Sequence, residues 1–277
     1  MKASMKAYEI GRKSTVVFYL HGLRGHAFAQ VSVLRHMVKN LGVRLVTMEL
    51  PGHGRDSESA QCMVPRYSDI VQMIVDEVKI RSGDAEQVVL MGYSFGGALM
   101  TLAAQKLEQD RQFRTRVVGL VGISTAYNVS HNVPKWQLAL VDVIAPLSKF
   151  LHIRLPKMSQ LITIREMNVT LISADKAVQD SILHDRKVYK GRIPLYTSAQ
   201  VFKCSVAARA AIDQLRAPVL LLHSADDEIA LAPEVDEFNA NVRLRLFKKL
   251  RHNCIDGLMR EAVVARKTIT QFIAEKL

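Results

Sequence analysis

The chain has 277 residues, 49% of them hydrophobic and 23% charged, a balance that excludes a disordered protein and a length that suits one large α/β domain carrying an insertion or two ordinary domains. Its 38 lysines and arginines against 26 aspartates and glutamates leave a net charge of +12, but no zinc-finger, helix-turn-helix or RNA-binding signature accompanies it. Specific nucleic-acid binding is therefore not expected; the charge suits a diffusely basic surface first, with peripheral contact with anionic membrane or lipid surfaces as the alternative. No stretch reaches the ~18 apolar residues of a membrane span, no apolar segment of a signal peptide follows Lys2 and Lys6, and Cys62, Cys204 and Cys254 lie too far apart for a metal site or a disulfide framework, so a reducing, cytoplasmic setting without metal or cofactor is expected.

Short apolar runs alternate with longer amphipathic ones from the N-terminal side onward. Val16–Leu20 reads as a strand and runs into the turn His21-Gly22-Leu23-Arg24-Gly25. Phe28–Leu41 reads as a helix and Leu45–Met48 as the next strand. Pro51-Gly52-His53-Gly54 is a turn in which His53 is expected to hydrogen-bond backbone. A helix over Tyr67–Ile80 and a strand over Val88–Met91 follow.

Gly92-Tyr93-Ser94-Phe95-Gly96 comes directly after that strand and before the helix-like run Ala98–Leu107. A serine on a tight strand-to-helix turn is strained and exposed. Side chains at the flanking glycine positions would collide with the neighbouring strand and helix. The helix N-terminus behind Ser94 offers backbone N–H groups to a developing oxyanion. Ser94 is accordingly the candidate nucleophile.

After a strand over Val117–Ile123 the alternation stops. Between Thr125 and Asp213 there is no clear strand, only amphipathic pieces such as Trp136–Leu151 broken by Pro134, Pro146, Pro156 and Pro194. This stretch is expected to be a helical cap over the carboxyl ends of the strands, where ligand chemistry belongs. Asn128-Val129-Ser130 and Asn168-Val169-Thr170 match a glycosylation pattern by chance. Strands over Val219–His223 and Leu244–Phe247 and a helix over Leu258–Ala274 complete the chain. The expected organisation is residues 1–124 as the first part of the core, 125–213 as cap and 214–277 as the second part, with a mostly parallel sheet of about six to seven strands covered on both faces.

A serine hydroxyl needs a base, and the base needs a group that fixes its tautomer. His252 lies in a short loop after the last strand and is the candidate base. His36, His131, His152 and His184 sit in helical or cap segments suited to packing or surface roles. Asp226 and Asp227 both follow the strand Val219–His223, and only one can face the histidine. The chain order Ser, Asp, His is that of the α/β-hydrolases. The oxyanion donors are expected to be the backbone N–H groups of Phe95 and of Leu23.

With these pieces the chain resembles the α/β-hydrolase superfamily. Phe18-Tyr19-Leu20-His21-Gly22 is similar to its oxyanion strand and turn. Glu49-Leu50-Pro51-Gly52-His53-Gly54 is similar to the D-x-P-G-H-G loop, with Glu49 for Asp. Gly92 to Gly97 matches the nucleophile elbow, and His223-Ser224-Ala225-Asp226-Asp227 looks like the H-G-x-x-D acid loop, with Ser224 for Gly. That register selects Asp227 as the acid. Only about fourteen residues precede the oxyanion strand, so the sheet is expected to be shorter there than is usual in the superfamily.

The cap segment Thr170-Leu171-Ile172-Ser173 through Leu183-His184-Asp185 to Ile193-Pro194 resembles the monoacylglycerol lipase and lysophospholipase group. The resemblance implies a serine hydrolase acting on single-chain acyl esters, with a cap that shapes an apolar acyl tunnel; basic residues such as Lys149, Arg154 and Lys157, interleaved with the cap's apolar runs, are expected to stay in water or meet anionic headgroups. The apolar runs Leu138–Val141 and Val143-Ile144 suit that tunnel or plain packing. A small-ester esterase, a thioesterase, an acyltransferase or a non-catalytic ligand-binding protein on the same fold are the competing readings.

Overall fold

The computed structural model describes residues 5–11, 15–39, 41–54, 62–129, 163–164 and 167–277. The expected segments over Trp136–Leu151, Leu138–Val141 and Val143-Ile144, with His131, His152, Lys149, Arg154, Lys157 and three of the four prolines named above, lie outside them.

One seven-stranded sheet organises the described residues. Its strands are β1 (Ala7–Ile10), β2 (Val16–Leu20), β3 (Arg44–Met48), β4 (Gln87–Tyr93), β5 (Arg116–Ile123), β8 (Val219–Ser224) and β9 (Val242–Phe247). The order is β1-β3-β2-β4-β5-β8-β9. Only β1 runs antiparallel, pairing Ala7 with Met48 and Ile10 with Leu45. The other pairings are parallel, with β4 in the centre.

Central strands with both faces covered are apolar throughout, and β2 is buried at all five positions. Alternate side chains leave it in opposite directions. Val16, Phe18 and Leu20 join one core, under helices α2 (Tyr67–Ser82) and α3 (Phe95–Gln109). Val17 and Tyr19 join the other, with residues of α1 (Val31–Lys39) and α7 (Arg260–Ala274). The edge strand β9 instead alternates, leaving Arg243 and Arg245 exposed.

Between β5 and β8 the described residues form short helices α4 (Val169–Ile172) and α5 (Lys176–His184) and the longer α6 (Leu195–Ile212). Asn168 caps α4: its side chain accepts from Thr170 N at 3.0 Å. Asp175 caps α5 in the same way. This region was expected to hold no clear strand. It does hold a two-residue antiparallel pair, β6 (Thr163–Ile164) with β7 (Ile193–Pro194), too short to leave a periodic signal. α6 packs on α3 and places Cys204, Ala208 and Ile212 in the sheet's core. All three cysteines are free and buried. Among the described residues no helix is long and apolar enough to cross a membrane.

Candidate active site

Ser94 follows β4 directly and holds φ +54° and ψ −120°, a left-handed conformation that side chains rarely adopt. Its flanking glycines allow the turn to close. A Cβ on Gly92 would lie 2.5 Å from Gly96 O, and one on Gly96 would lie 2.4 Å from both Leu20 O and His21 O. Gly22 on the neighbouring turn is also closely approached, since a Cβ there would lie 3.0 Å from Ser94 Cβ and Tyr93 Cδ1. The elbow thus sits tight against the end of β2, as the spacing of glycines implied.

His252 reaches Ser94 from the loop after β9. Its Nε2 is 2.8 Å from Ser94 Oγ, and its Nδ1 is 2.7 Å from Asp227 Oδ2. A carboxylate only accepts, so Nδ1 carries the hydrogen and Nε2 accepts from the serine hydroxyl. All three groups are buried to better than nine-tenths. The loop is anchored to the inserted segment, with His252 N donating to Leu171 O at 3.3 Å and Asn253 N to Ile172 O at 2.6 Å. The Tyr93 ring lies 5.2 Å from the His252 ring. Burial, and then the charge of Asp227, pushes its phenol well above the usual range, so it stays neutral.

Asp227 is the carboxylate that faces His252, and Asp226 faces away. Asp226 accepts from Ser224 Oγ at 2.5 Å and from Arg251 N at 3.3 Å. Asp227 Oδ1 accepts from Ile229 N at 2.9 Å and Ala230 N at 3.0 Å, while His223 Nε2 comes within 3.1 Å of its Oδ2. Burial works to raise the Asp227 carboxyl, but the charges and hydrogen bonds of His252 and His223 hold it well below the ordinary range. The stability this adds is present above the unfolded aspartate value of ~3.9 and is lost as pH falls through the lower folded value. His223 was not among the expected site residues. Its signal was the four-residue spacing to Asp227, which means contact only once the turn after β8 is known.

Leu23 and Phe95 both line the cavity that opens at Ser94, and among the described residues neither backbone N–H meets an acceptor. The turn that carries Leu23 is held from two sides. Toward the core, His21 Nε2 lies 2.8 Å from Glu49 Oε1, which also accepts from Ala27 N at 3.0 Å. Glu49 thus serves this turn from the first position of the loop that resembles D-x-P-G-H-G. Toward the inserted segment, Tyr189 N donates to Arg24 O at 2.9 Å, and the Arg24 guanidinium donates to Gly191 O at 2.5 Å. His26 Nε2 meets Asp185 Oδ2 at 2.7 Å. His26 Nδ1 accepts from Phe28 N at 3.2 Å, so the hydrogen is on Nε2 and points at the carboxylate. His53 bonds Pro51 O at 3.0 Å, as its turn implied. Burial takes its pKa down to about 3. Among the described residues no three His, Cys, Asp or Glu side chains converge to hold a metal ion.

The cavity has a volume of about 980 Å³. Leu195, Ala199, Val201 and Phe202 of α6 line one side, and Leu171, Ile172 and Val178 of α4 and α5 another.

A family profile described as serine aminopeptidase, S33, matches residues 11–257. The monoglyceride lipase of Rattus norvegicus is 23% identical over 221 residues, spanning 79% of this chain and 67% of that protein. The crystal structure of the Paleococcus ferrophilus monoacylglycerol lipase superposes with a TM-score of 0.79 at 20% identity, over 99% of this chain and 100% of that one. A soluble variant of the Saccharomyces cerevisiae monoglyceride lipase, solved with a substrate analog, gives 0.74 at 16% identity, over 98% and 92%. At these identities the likeness establishes a shared fold, the α/β-hydrolase fold that the motif order implied.

Proposed function

The chain belongs to the serine aminopeptidase S33 family of α/β-hydrolases, and from that premise we propose that it is a serine carboxylic ester hydrolase acting on single-chain acyl esters. The observation that carries this reading is the continuous hydrogen-bonded line from Ser94 through His252 to Asp227, at 2.8 and 2.7 Å, opening on a largely apolar cavity. Relatives named as monoglyceride lipases support the choice of substrate class.

In the proposed reaction Ser94 Oγ attacks the acyl carbonyl carbon as its proton passes to His252 Nε2. The carbonyl electron pair moves to oxygen, and the Leu23 and Phe95 N–H groups hold that oxyanion, each contributing ~3–4 kcal/mol. The carbonyl re-forms as the ester C–O bond breaks, and His252 returns its proton to the leaving alcohol. Water, deprotonated by His252, then repeats the attack on the acyl-enzyme and releases the acid and Ser94. Asp227 holds Nδ1–H in place and stabilises the imidazolium at each step. Within the cap, helices α4, α5 and α6 contribute the wall that receives the acyl chain.

Each methylene taken out of water adds up to ~0.8 kcal/mol. Across p-nitrophenyl esters of two to sixteen carbons, kcat/KM is therefore expected to climb beyond four carbons and level off when the cavity is full. Ala199→Phe, which narrows the α6 wall, is expected to move that plateau to shorter chains. A flat profile, with acetyl esters preferred, points to a small-ester esterase instead. Retention of activity toward thioesters, or product transfer to added alcohols, separates the thioesterase and acyltransferase alternatives.

Lipid contact belongs to the same proposal. Leu183 on α5 and Leu258 before α7 are 44% and 89% exposed, beside a helix that walls the cavity. With the positive net charge they suit a shallow seat on an anionic surface. The protein is expected to sediment with phosphatidylglycerol vesicles and to be released by salt, whereas neutral vesicles retain little of it.

A further inference from the structure

His252 stands in a loop whose backbone is held residue by residue. Lys249 and Arg251 both adopt left-handed conformations, with φ of +63° and +59°. Residues with side chains keep such angles only where their surroundings impose them. Leu250, between the two, is buried in the core on the α1 and α7 face. Four consecutive N–H groups then find acceptors outside the loop. Leu250 N donates to Ser224 Oγ at 3.2 Å and Arg251 N to Asp226 Oδ1 at 3.3 Å. His252 N and Asn253 N donate to Leu171 O and Ile172 O. The acid loop thus fixes the two residues before His252, and the inserted segment fixes His252 and the residue after it.

The acid loop does this with side chains. Ser224 ends β8 and is fully buried. Its hydroxyl hydrogen goes to Asp226 Oδ1 at 2.5 Å, which leaves its oxygen to accept from Leu250 N. The Arg251 side chain closes the set, with Nη1 2.6 Å from Glu228 Oε1 and Nε 3.7 Å from Asp226 Oδ2. Ser224 occupies the glycine position of the H-G-x-x-D pattern, and a glycine has no side-chain atom to bridge two loops. Among the described residues that line the cavity at Ser94, neither Ser224 nor Asp226 appears, so the pair lies behind the site and touches no substrate.

We propose that Ser224 and Asp226 are positioning residues: the Ser224 hydroxyl, oriented by Asp226, holds the His252 loop in register with the loop that carries Asp227. The proposal rests on the ester-hydrolase reading and adds to it two residues that act only through His252. That ring must meet Ser94 with one nitrogen and Asp227 with the other at the same time. Without the Ser224 hydroxyl, the buried Leu250 N–H loses its acceptor, and the left-handed turn around it loses one of the bonds that impose it.

The test is steady-state hydrolysis of p-nitrophenyl dodecanoate by the wild type, Ser224→Ala, Asp226→Ala and Asp226→Asn, each shown by circular dichroism to be folded at the assay temperature. Both half-reactions use His252, so kcat reports its placement whichever is slower. In Ser224→Ala and Asp226→Ala kcat is expected to fall ~10-fold or more, the scale of a reacting group displaced by a fraction of an ångström, with KM within about twofold of wild type. Asp226→Asn keeps an Oδ1 acceptor for Ser224 Oγ and Arg251 N and should recover most of the loss. Fluorophosphonate should label both alanine variants to completion, but more slowly than the wild type. Should Ser224→Ala fail to fold, Asp226→Ala carries the test, because the Asp226 side chain is 37% exposed. A purely structural pair would lower the unfolding temperature and leave kcat of the folded protein within about threefold of wild type. That result in the folded alanine variants overturns the proposal and leaves the hydrolase reading intact, and so does a loss in Asp226→Asn as large as in Asp226→Ala. A wild type that neither hydrolyses the ester nor labels with the fluorophosphonate overturns both.

Discussion

Ser94→Ala is expected to lower kcat for ester hydrolysis by about 10⁶, the usual cost of removing a triad nucleophile. The structure gives that loss one source. Oγ is the atom His252 Nε2 faces at 2.8 Å, and the methyl of alanine supplies neither a nucleophile nor a hydrogen-bond donor. Removing the hydroxyl also leaves the elbow in place, because the left-handed φ of Ser94 is imposed by the packing of Gly92 and Gly96 against α3 and the end of β2. The variant should therefore unfold in urea close to the wild type, give an unchanged circular dichroism spectrum and lose all reaction with a fluorophosphonate probe. A folded Ser94→Ala protein with a tenth of wild-type turnover would be incompatible with the proposed mechanism.

Asp227→Asn is expected to cost roughly four orders of magnitude in kcat, and Asp226→Asn little. An asparagine amide facing Nδ1 can donate as well as accept. It then permits the tautomer that places the hydrogen on Nε2, where Ser94 needs an acceptor. Asp226 shares none of this, since its partners are Ser224 and Arg251 on the rim of the loop. Kinetics of the two variants side by side decide the assignment: a crippled Asp226→Asn beside an active Asp227→Asn would reverse it. His223, which shares the Asp227 carboxylate, makes Asp227→Asn destabilising as well, so the activity loss is read on protein shown to be folded at the assay temperature.

Five of the six parallel strands were legible in sequence because each is a short apolar run, and burial on both faces demands such runs; the edge strand β9 was legible only over Leu244–Phe247, since Arg243 and Arg245 alternate with its apolar residues. Helix α3 was legible only from Ala98 onward, although it begins at Phe95; Gly96 and Gly97 are poor helix formers, and their place is set by close approach to β2 and Thr125. Strand β1 escaped because an edge strand of four residues with Glu9 in it buries too little to leave a pattern. Its antiparallel pairing with β3 brings the sheet to the upper end of the expected range of strands. At the site, Ser94 and His252 could be named from local context. Choosing between Asp226 and Asp227 needed the register of a related loop, because two adjacent carboxylates differ only in which way the turn after β8 aims them. The partnerships of Arg24 with Tyr189 and of His26 with Asp185 join residues about 160 positions apart, and no local signal announces such pairs.

Those two partnerships bear on how this chain can change. The turn that carries Leu23 is fastened at Arg24 and His26 to residues 185–191, which lie in the segment between β5 and β8, the same segment that lines the cavity at Ser94. On the proposed mechanism, exchanging that segment for a relative's to obtain a new acyl preference would also remove the fastenings of the oxyanion donor. Substrate range and turnover are thus inherited together here. A recombinant that keeps Asp185, Tyr189 and Gly191 while replacing the lining around them separates the two.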